Sequence, residues 1–299
     1  MSATTGICEY VVYSASGATV QSEFGIVQGG GFNLASAPIH VTGVGGLDEL
    51  VGGMIEPTGS VEFAIIDVAG FIATYGRRDT GTTGYPCTLP TAFDIYLGLG
   101  GTEIKGNTCY VDTLTIDATV DDELKASVEF FATSWEEGSY AAPTLSGGTP
   151  HHWYLATAQF GTTAGVADAE VKSWSINISN NLEHYTTMDA KDVGSKRFPV
   201  GTVAGNEVVT LSMTTVAPLD SAVLDTMADD IAQDLKFVGT GSDGTNTITI
   251  TLTGDATTIS GLVASSAEQP IQVDGILEYT YEFELAFNRD TDGLTIIVS

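Results

Sequence analysis

Basic residues are scarce: ten Lys and Arg stand among 299 residues. A free-standing nucleic-acid binder needs a set of cations to neutralise phosphates, so this composition argues against one. Binding to an anionic membrane is disfavoured on the same ground. Cysteine is rarer still, and Cys8, Cys87 and Cys109 lie too far apart for a CxxC pair or a metal pattern. No run of 18 apolar residues occurs, so no membrane span is predicted. The opening stretch, Met1–Gly17, lacks a basic n-region and a long apolar core. No signal peptide is expected, and the protein should stay inside the cell or leave it by a route other than standard secretion.

What is abundant is acid. Against those ten bases stand 38 Asp and Glu, a formal charge of −28. The acid is spread along the chain, and 43% of residues are hydrophobic, too many for a disordered acidic tail. The length allows one large domain or two of ordinary size. The charge has three readings. It makes a soluble acidic surface. It suits molar salt, where the screening length falls to about 3 Å and carboxylates repel one another little. Or part of it lines a surface past which DNA moves without sticking.

Period-two alternation dominates. Val61, Phe63 and Ile65 share a face, as do Phe93, Ile95, Leu97 and Leu99. Leu114 and Ile116 sit among Thr and Asp, and a long segment runs from Leu124 to Trp135. Trp174, Ile176 and Ile178 alternate with Ser173, Ser175, Asn177 and Ser179. Val209, Leu211 and Met213, then Ile248, Ile250 and Leu252, then Leu277 to Phe287 continue the pattern. These read as antiparallel strands with one buried face. The run Gly29-Gly30-Gly31 is expected to be a flexible bend. One segment has helical spacing: Val223, Leu224, Met227, Ile231 and Leu235 predict a helix over 221–236. The order of signals repeats at a separation of roughly 143 to 155 residues, which predicts two related domains, 1–143 and 151–299, joined by a linker at 144–150.

A search for chemistry finds little. His151-His152 sits in a Gly/Pro linker without a Cys or acid at useful spacing, so a surface or packing role is favoured over a metal site. No GxSxG, HExxH, P-loop or helix-opening GxGxxG is present. Asp121-Asp122-Glu123 reads as a tight turn and lacks the calcium-loop spacing. No catalytic residue, metal or cofactor is assigned, and no enzyme is expected. Of the ten bases, Lys191, Lys196 and Arg197 cluster in one loop, where they suit acidic patches on a neighbouring copy or simply solvent.

The segment Val171, Lys172, Ser173, Trp174, Ser175, Ile176, Asn177, Ile178, Ser179, Asn180, Asn181, Leu182, Glu183 resembles the strand-and-turn segment of tail tube proteins from long-tailed viruses of bacteria and archaea. Its continuation, Phe198-Pro199-Val200-Gly201 and then Gly205–Met213, and the closing strand Ile276–Phe287 also look like that family. Met54, Glu56, Pro57, Gly59 and Val61–Ile65 form a weaker echo in the first half. The resemblance implies a mainly β chain of two tandem tail-tube-type β-sandwich or barrel domains with a flanking helix. It implies that sheets of adjacent domains join into a ring barrel, usually of six tube domains, and that rings stack. Two domains per chain then suggest a trimeric, pseudo-hexameric ring, with a plain hexamer as the alternative. The loop His184–Phe198, with Lys191, Lys196, Arg197 and Phe198, is the candidate ring-to-ring contact, and Val41–Gly53 is its counterpart in the first half. Partners implied are further copies of the chain, a tape-measure protein, tail terminator and baseplate proteins, and double-stranded DNA in passage; no membrane is bound. The location implied is the virion tail, assembled in the host cytoplasm, and the acidity suggests a haloarchaeal virus.

Three other readings compete. A surface-layer or adhesin sandwich would need an export route. A carbohydrate-binding module would need coplanar aromatics on one exposed face, and Trp153, Tyr154 and Trp174 are the local cluster. A hydrolase would need a single pair of acids in a groove beside aromatic platforms.

Overall fold

A computed structural model describes residues 8–36, 39–42, 48–51, 55–66, 70–77, 89–99, 102–140, 148–162, 170–186, 198–219, 235–253, 261–268, 277–286 and 294–298. The chain is mainly β. It opens with β1 (Cys8–Ala15) and the short β2 (Ser22–Glu23). A long hairpin follows, built from β3 (Ile26–Ser36), β4 (Ile39–Thr42), β5 (Asp48–Val51) and β6 (Ile55–Ala64), in which β3 pairs β6 and β4 pairs β5. Next come the helix α1 (Gly70–Tyr75), β7 (Phe93–Leu99), β8 (Thr102–Thr119) and β9 (Lys125–Gly138).

After a 3-10 turn at Trp153–Leu155 the same layout returns. It comprises β10 (Thr157–Thr162) and a second long hairpin of β11 (Val171–Ser179), β12 (Leu182–Tyr185), β13 (Gly201–Ala204) and β14 (Val208–Thr215). Then follow β15 (Leu235–Ser242), β16 (Thr247–Thr253), β17 (Gly261–Glu268), β18 (Tyr279–Ala286) and β19 (Leu294–Val298). The pairings recur in order. β1 pairs β7, β7 pairs β8, β8 pairs β9, β9 pairs β6 and β6 pairs β3. Correspondingly β10 pairs β15, β15 pairs β16, β17 pairs β18, β18 pairs β14 and β14 pairs β11. Where the first half has the continuous strands β8 and β9, the second has each cut in two: β16 with β17, and β18 with β19.

The strands form for the reason their alternation suggests. In β16 the residues Ile248, Ile250 and Leu252 are buried and threonine fills every other position. β-Branched side chains pack well on a pleated half-buried surface and lose little rotamer freedom there. The sheet β10-β15-β16-β19 covers one face of β11, β14 and β18, and Trp174 meets Phe237 (ring centroids 5.6 Å apart) as Phe160 meets Phe283 (5.0 Å). In the first half α1 packs against the core-facing aromatics of the sheet. Its Phe71 sits 4.6 Å from Phe24, 4.8 Å from Tyr13 and 5.1 Å from Phe93, centroid to centroid. Arg77, just beyond the helix, donates from Nη1 to the Leu294 carbonyl of β19 (2.6 Å).

β8 ties the halves together. One of its edges pairs with β9 along nearly its whole length. Its other edge pairs first with β7, through Cys109, and then with β11, from Thr113 to Thr119. The strand is bulged at Asp112, between these stretches, and again within the β7 stretch, where Thr108 takes φ +48°. Asp94 on β7, almost fully buried, holds that bend: it accepts the Thr108 N–H (2.9 Å) and the Gly17 N–H (3.1 Å) and pairs with Lys105 Nζ (3.1 Å). Burial alone would lower the Lys105 pKa, but the Asp94 carboxylate outweighs it and holds the ammonium above its ordinary value.

Two expectations change, and a third lies almost wholly outside the described residues. Gly29-Gly30-Gly31 is not a bend but the middle of β3, in register with Glu62, Val61 and Ser60. Gly30 has φ +147°, and a Cβ there would lie 2.4 Å from the Ser60 carbonyl oxygen, so only glycine allows the close approach. In β7 the alternation does not separate buried from exposed faces, because Asp94 and Tyr96 are buried along with Phe93, Ile95 and Leu97. The helix expected over 221–236 lies outside the described residues up to 234, and its last two residues, Leu235 and Lys236, open β15. His151 is a packing residue: fully buried, it donates its N–H to the Ile65 carbonyl and accepts the Leu124 N–H (2.9 Å each).

Candidate functional site

The segment singled out from the sequence builds the joint between the halves. Trp174, Ile176 and Ile178 of β11 point into the core, with Ile176 fully buried opposite Ile116 of β8 and Leu211 of β14. Val171, at the start of the strand, packs against the same core. Ser173, Ser175, Asn177 and Ser179 form the other face, which no other sheet covers among the described residues. Asn177 Nδ2 donates to Thr115 Oγ1 on β8 (2.9 Å).

The two asparagines after β11 have separate tasks. Asn181 takes φ +47°, a conformation that asparagine tolerates better than most residues, and its carbonyl accepts the Gly205 N–H (2.8 Å). Asn180 is fully buried and donates from Nδ2 to the Val111 carbonyl (2.9 Å). Its N–H donates to the Asp112 carbonyl and the Leu182 N–H to Asp112 Oδ1 (2.7 Å each). Leu182 is buried and Glu183 exposed on β12. Asp112 thus anchors the root of the β12–β13 hairpin. Sequence reading missed it, since an Asp in a Thr-rich strand gives no sign that a bulge will turn it towards a distant backbone.

Side chains on the uncovered face form rows that cross the sheet. One runs Glu284, Thr210, Asn177, Thr115, Ser127, Glu62, Gly29 through β18, β14, β11, β8, β9, β6 and β3. A neighbouring row runs Glu282, Ser212, Ser175, Asp117, Lys125. The charges on these rows and on the next, which carries Glu129, are Glu62, Asp117, Glu129, Glu282 and Glu284 against Lys125. Lys125 is held by Asp122 at the sheet's end (2.8 Å). The surface is short, polar and acidic.

The path β3-β6-β9-β8-β11-β14-β18-β17 ends in two edges, because among the described strands β3 pairs only β6 and β17 only β18. Unsatisfied N–H and C=O groups on such edges invite another strand. Both hairpin extensions, β4–β5 and β12–β13, continue from the same end of this sheet. On β12, His184 packs its ring 4.7 Å from Phe131, and burial holds its pKa below the ordinary value. Of the expected contact residues, Phe198 is half-buried beside Val200, whose N–H donates to the Tyr185 carbonyl (2.9 Å); Lys191, Lys196 and Arg197 lie outside the described residues.

The sugar-binding cluster is not assembled. Trp174 is buried in the core, and the Trp153 and Tyr154 rings stand at 88° to each other, not coplanar. A cleft of about 430 Å³ beside Phe131 holds Asp112 and Glu129, but Asp112 already serves backbone N–H groups. Among the described residues no helix is long and apolar enough to cross a membrane, and no group of three metal-ligating side chains converges.

A family model described as phage tail tube protein matches residues 28–285, a span running from β3 to β18. No curated protein matches the chain.

Proposed function

Because this chain belongs to the phage tail tube protein family, we propose that it is the repeating subunit of a viral tail tube whose rings are closed by strand pairing between chains. The family is structural and non-catalytic. One observation carries the reading. Within the chain, the second half of β8 joins β11 edge to edge, in antiparallel register from Ser173 opposite Thr119 to Ser179 opposite Thr113. By the order of pairings, β17 corresponds to that part of β8, and β3 corresponds to β11. Each free edge therefore has the same place in its half as a strand already joined inside the chain. The β17 edge of one copy takes the β3 edge of the next, and the internal joint repeats around a ring.

Each chain is then two tube domains, at 1–143 and 151–299, and three chains supply six. Eight strands per chain, at about 4.8 Å spacing, give a three-chain barrel with a diameter of roughly 37 Å before tilt and more with it. The face with Glu62, Asp117, Glu129, Glu282 and Glu284 lines the channel. Carboxylates there repel phosphate, and DNA slides without being held. The tape-measure protein occupies the same channel before DNA. The tail terminator and baseplate proteins close the two ends, and assembly takes place in the host cytoplasm. The hairpins β4–β5 and β12–β13, with Lys191, Lys196, Arg197 and Phe198 in the connection of the latter, reach the next ring. Electron microscopy of concentrated protein or of the virion tail is expected to show stacked rings in which whole chains are related by threefold symmetry. A sixfold axis relating whole chains refutes the trimer, and a protein that stays monomeric at every concentration refutes the tube.

The balance of 38 acids to ten bases also points to a high-salt host such as a haloarchaeon. Screening removes carboxylate repulsion that opposes the compact state. The melting temperature is expected to climb steeply between about 0.1 and 3 M salt, where the screening length shrinks from about 10 Å to below 3 Å. A flat or falling curve would mean that the acid serves the channel alone.

A further inference from the structure

We infer that the exposed cluster Val120, Trp153, Tyr154 and Leu155 is the seat for the β12–β13 hairpin of a copy in the next ring, an inference that rests on the tube reading above. The cluster stands at one end of the shared sheet. Trp153 donates its N–H to the Asp122 carbonyl in the β8–β9 turn (3.2 Å), and Trp153 and Val120 line one recess together. Tyr154 is 62% exposed and Leu155 38%, an unusual outlay of apolar surface on so acidic a chain. The hairpin leaves from the other end. β8 runs from Thr113, opposite the last residue of β11, to Thr119, opposite its start, so the two ends lie about 20 Å apart. That hairpin carries its own exposed apolar pair, Tyr185 (45%) and Val203 (49%).

Two features make a second copy the fitting occupant. The apolar groups are at opposite ends of one molecule, the arrangement that yields an open head-to-tail stack and not a closed pair. The sheet edges are already used within the ring, so these ends face neighbouring rings. Acidic turns flank the cluster, Asp121, Asp122 and Glu123 on one side and Asp243 on the other, where a Cβ on Gly244 would touch Leu155, and Lys125 and Lys172 are the near cations. The contact is therefore apolar at its centre with a polar rim.

The test uses Tyr154→Glu and Tyr185→Glu in the full chain. Both side chains are exposed, so each variant should melt within about 2 °C of the unsubstituted protein. Each is expected to form rings but to shorten tubes at least tenfold in electron micrographs. Preformed rings of the two variants are then mixed. Tyr154→Glu rings retain an intact hairpin and Tyr185→Glu rings an intact seat, so one joint forms, the two outer ends are both damaged, and growth stops at pairs of rings. Tubes of normal length from either variant, or a mixture that yields only single rings, overturn the inference. If the unsubstituted protein forms no rings at all, it is the tube reading that has failed.

Discussion

Proline at Gln28 or at Ser265 is expected to abolish ring closure while leaving the chain folded. Both positions are exposed and stand at bulges, Gln28 between Val27 and Gly29 of β3 and Ser265 between Ala264 and Ser266 of β17. Neither has a register partner on the inner strand, so proline there removes no paired residue from the sheet of the single chain. A proline on an edge strand has no N–H to offer an added strand and its ring keeps one away, which is how natural edge strands are blunted. Gln28→Pro and Ser265→Pro damage opposite edges of the same proposed joint, so each alone is sufficient. Sedimentation should show the monomer at concentrations where the unsubstituted chain assembles, with thermal unfolding shifted by only a few degrees. Rings of normal size from Gln28→Pro would show that β3 is not the strand that accepts β17.

Ile176→Asp should unfold the protein. Ile176 is fully buried, faces Ile116 and Leu211, and sits where β8 and β11 merge the halves into one sheet. Truncating such a residue costs about 2–5 kcal/mol, and a carboxylate in its place adds desolvation without a partner. A loss above about 4 kcal/mol approaches the whole stability of an ordinary domain. The adjacent Ser175→Ala, on the uncovered face, should change stability by less than about 0.5 kcal/mol. Denaturant titration of both variants measures the contrast. A well-folded Ile176→Asp protein would mean that β11 does not hold the centre of the sandwich.

Reading order was uneven along the chain. The alternation at 171–179 and 209–213 was legible because each strand there has one covered and one open face, so burial follows every second residue. At β7 the same alternation was present and misled, since Asp94 is taken inside by Lys105 and two backbone N–H groups from outside its own strand. β1 gave no usable signal, and the first half of β8, with Lys105, Gly106 and Asn107, did not look like a strand. It is one because β7 and β9 hydrogen-bond to it on both sides. The glycines of β3 looked like a bend, although at Gly30 the lack of a side chain is what lets the Ser60 carbonyl of β6 come close.

The sequence by itself determined the class of the protein. A deficit of Lys and Arg, the period-two patterning and the absence of catalytic motifs left an acidic β structure, and the serine and asparagine strand led to the family. It also determined which face of most strands is buried, because periodicity is a local property of the chain. Tertiary structure alone decided which strands are neighbours. Hydrogen-bonding edges are satisfied by segments far away in sequence: Ser179 meets Thr113, and Asp112 meets Leu182. Only when those pairings are known does it follow that β8 and β11 merge two halves into one sheet, and that β3 and β17 are left with edges to offer.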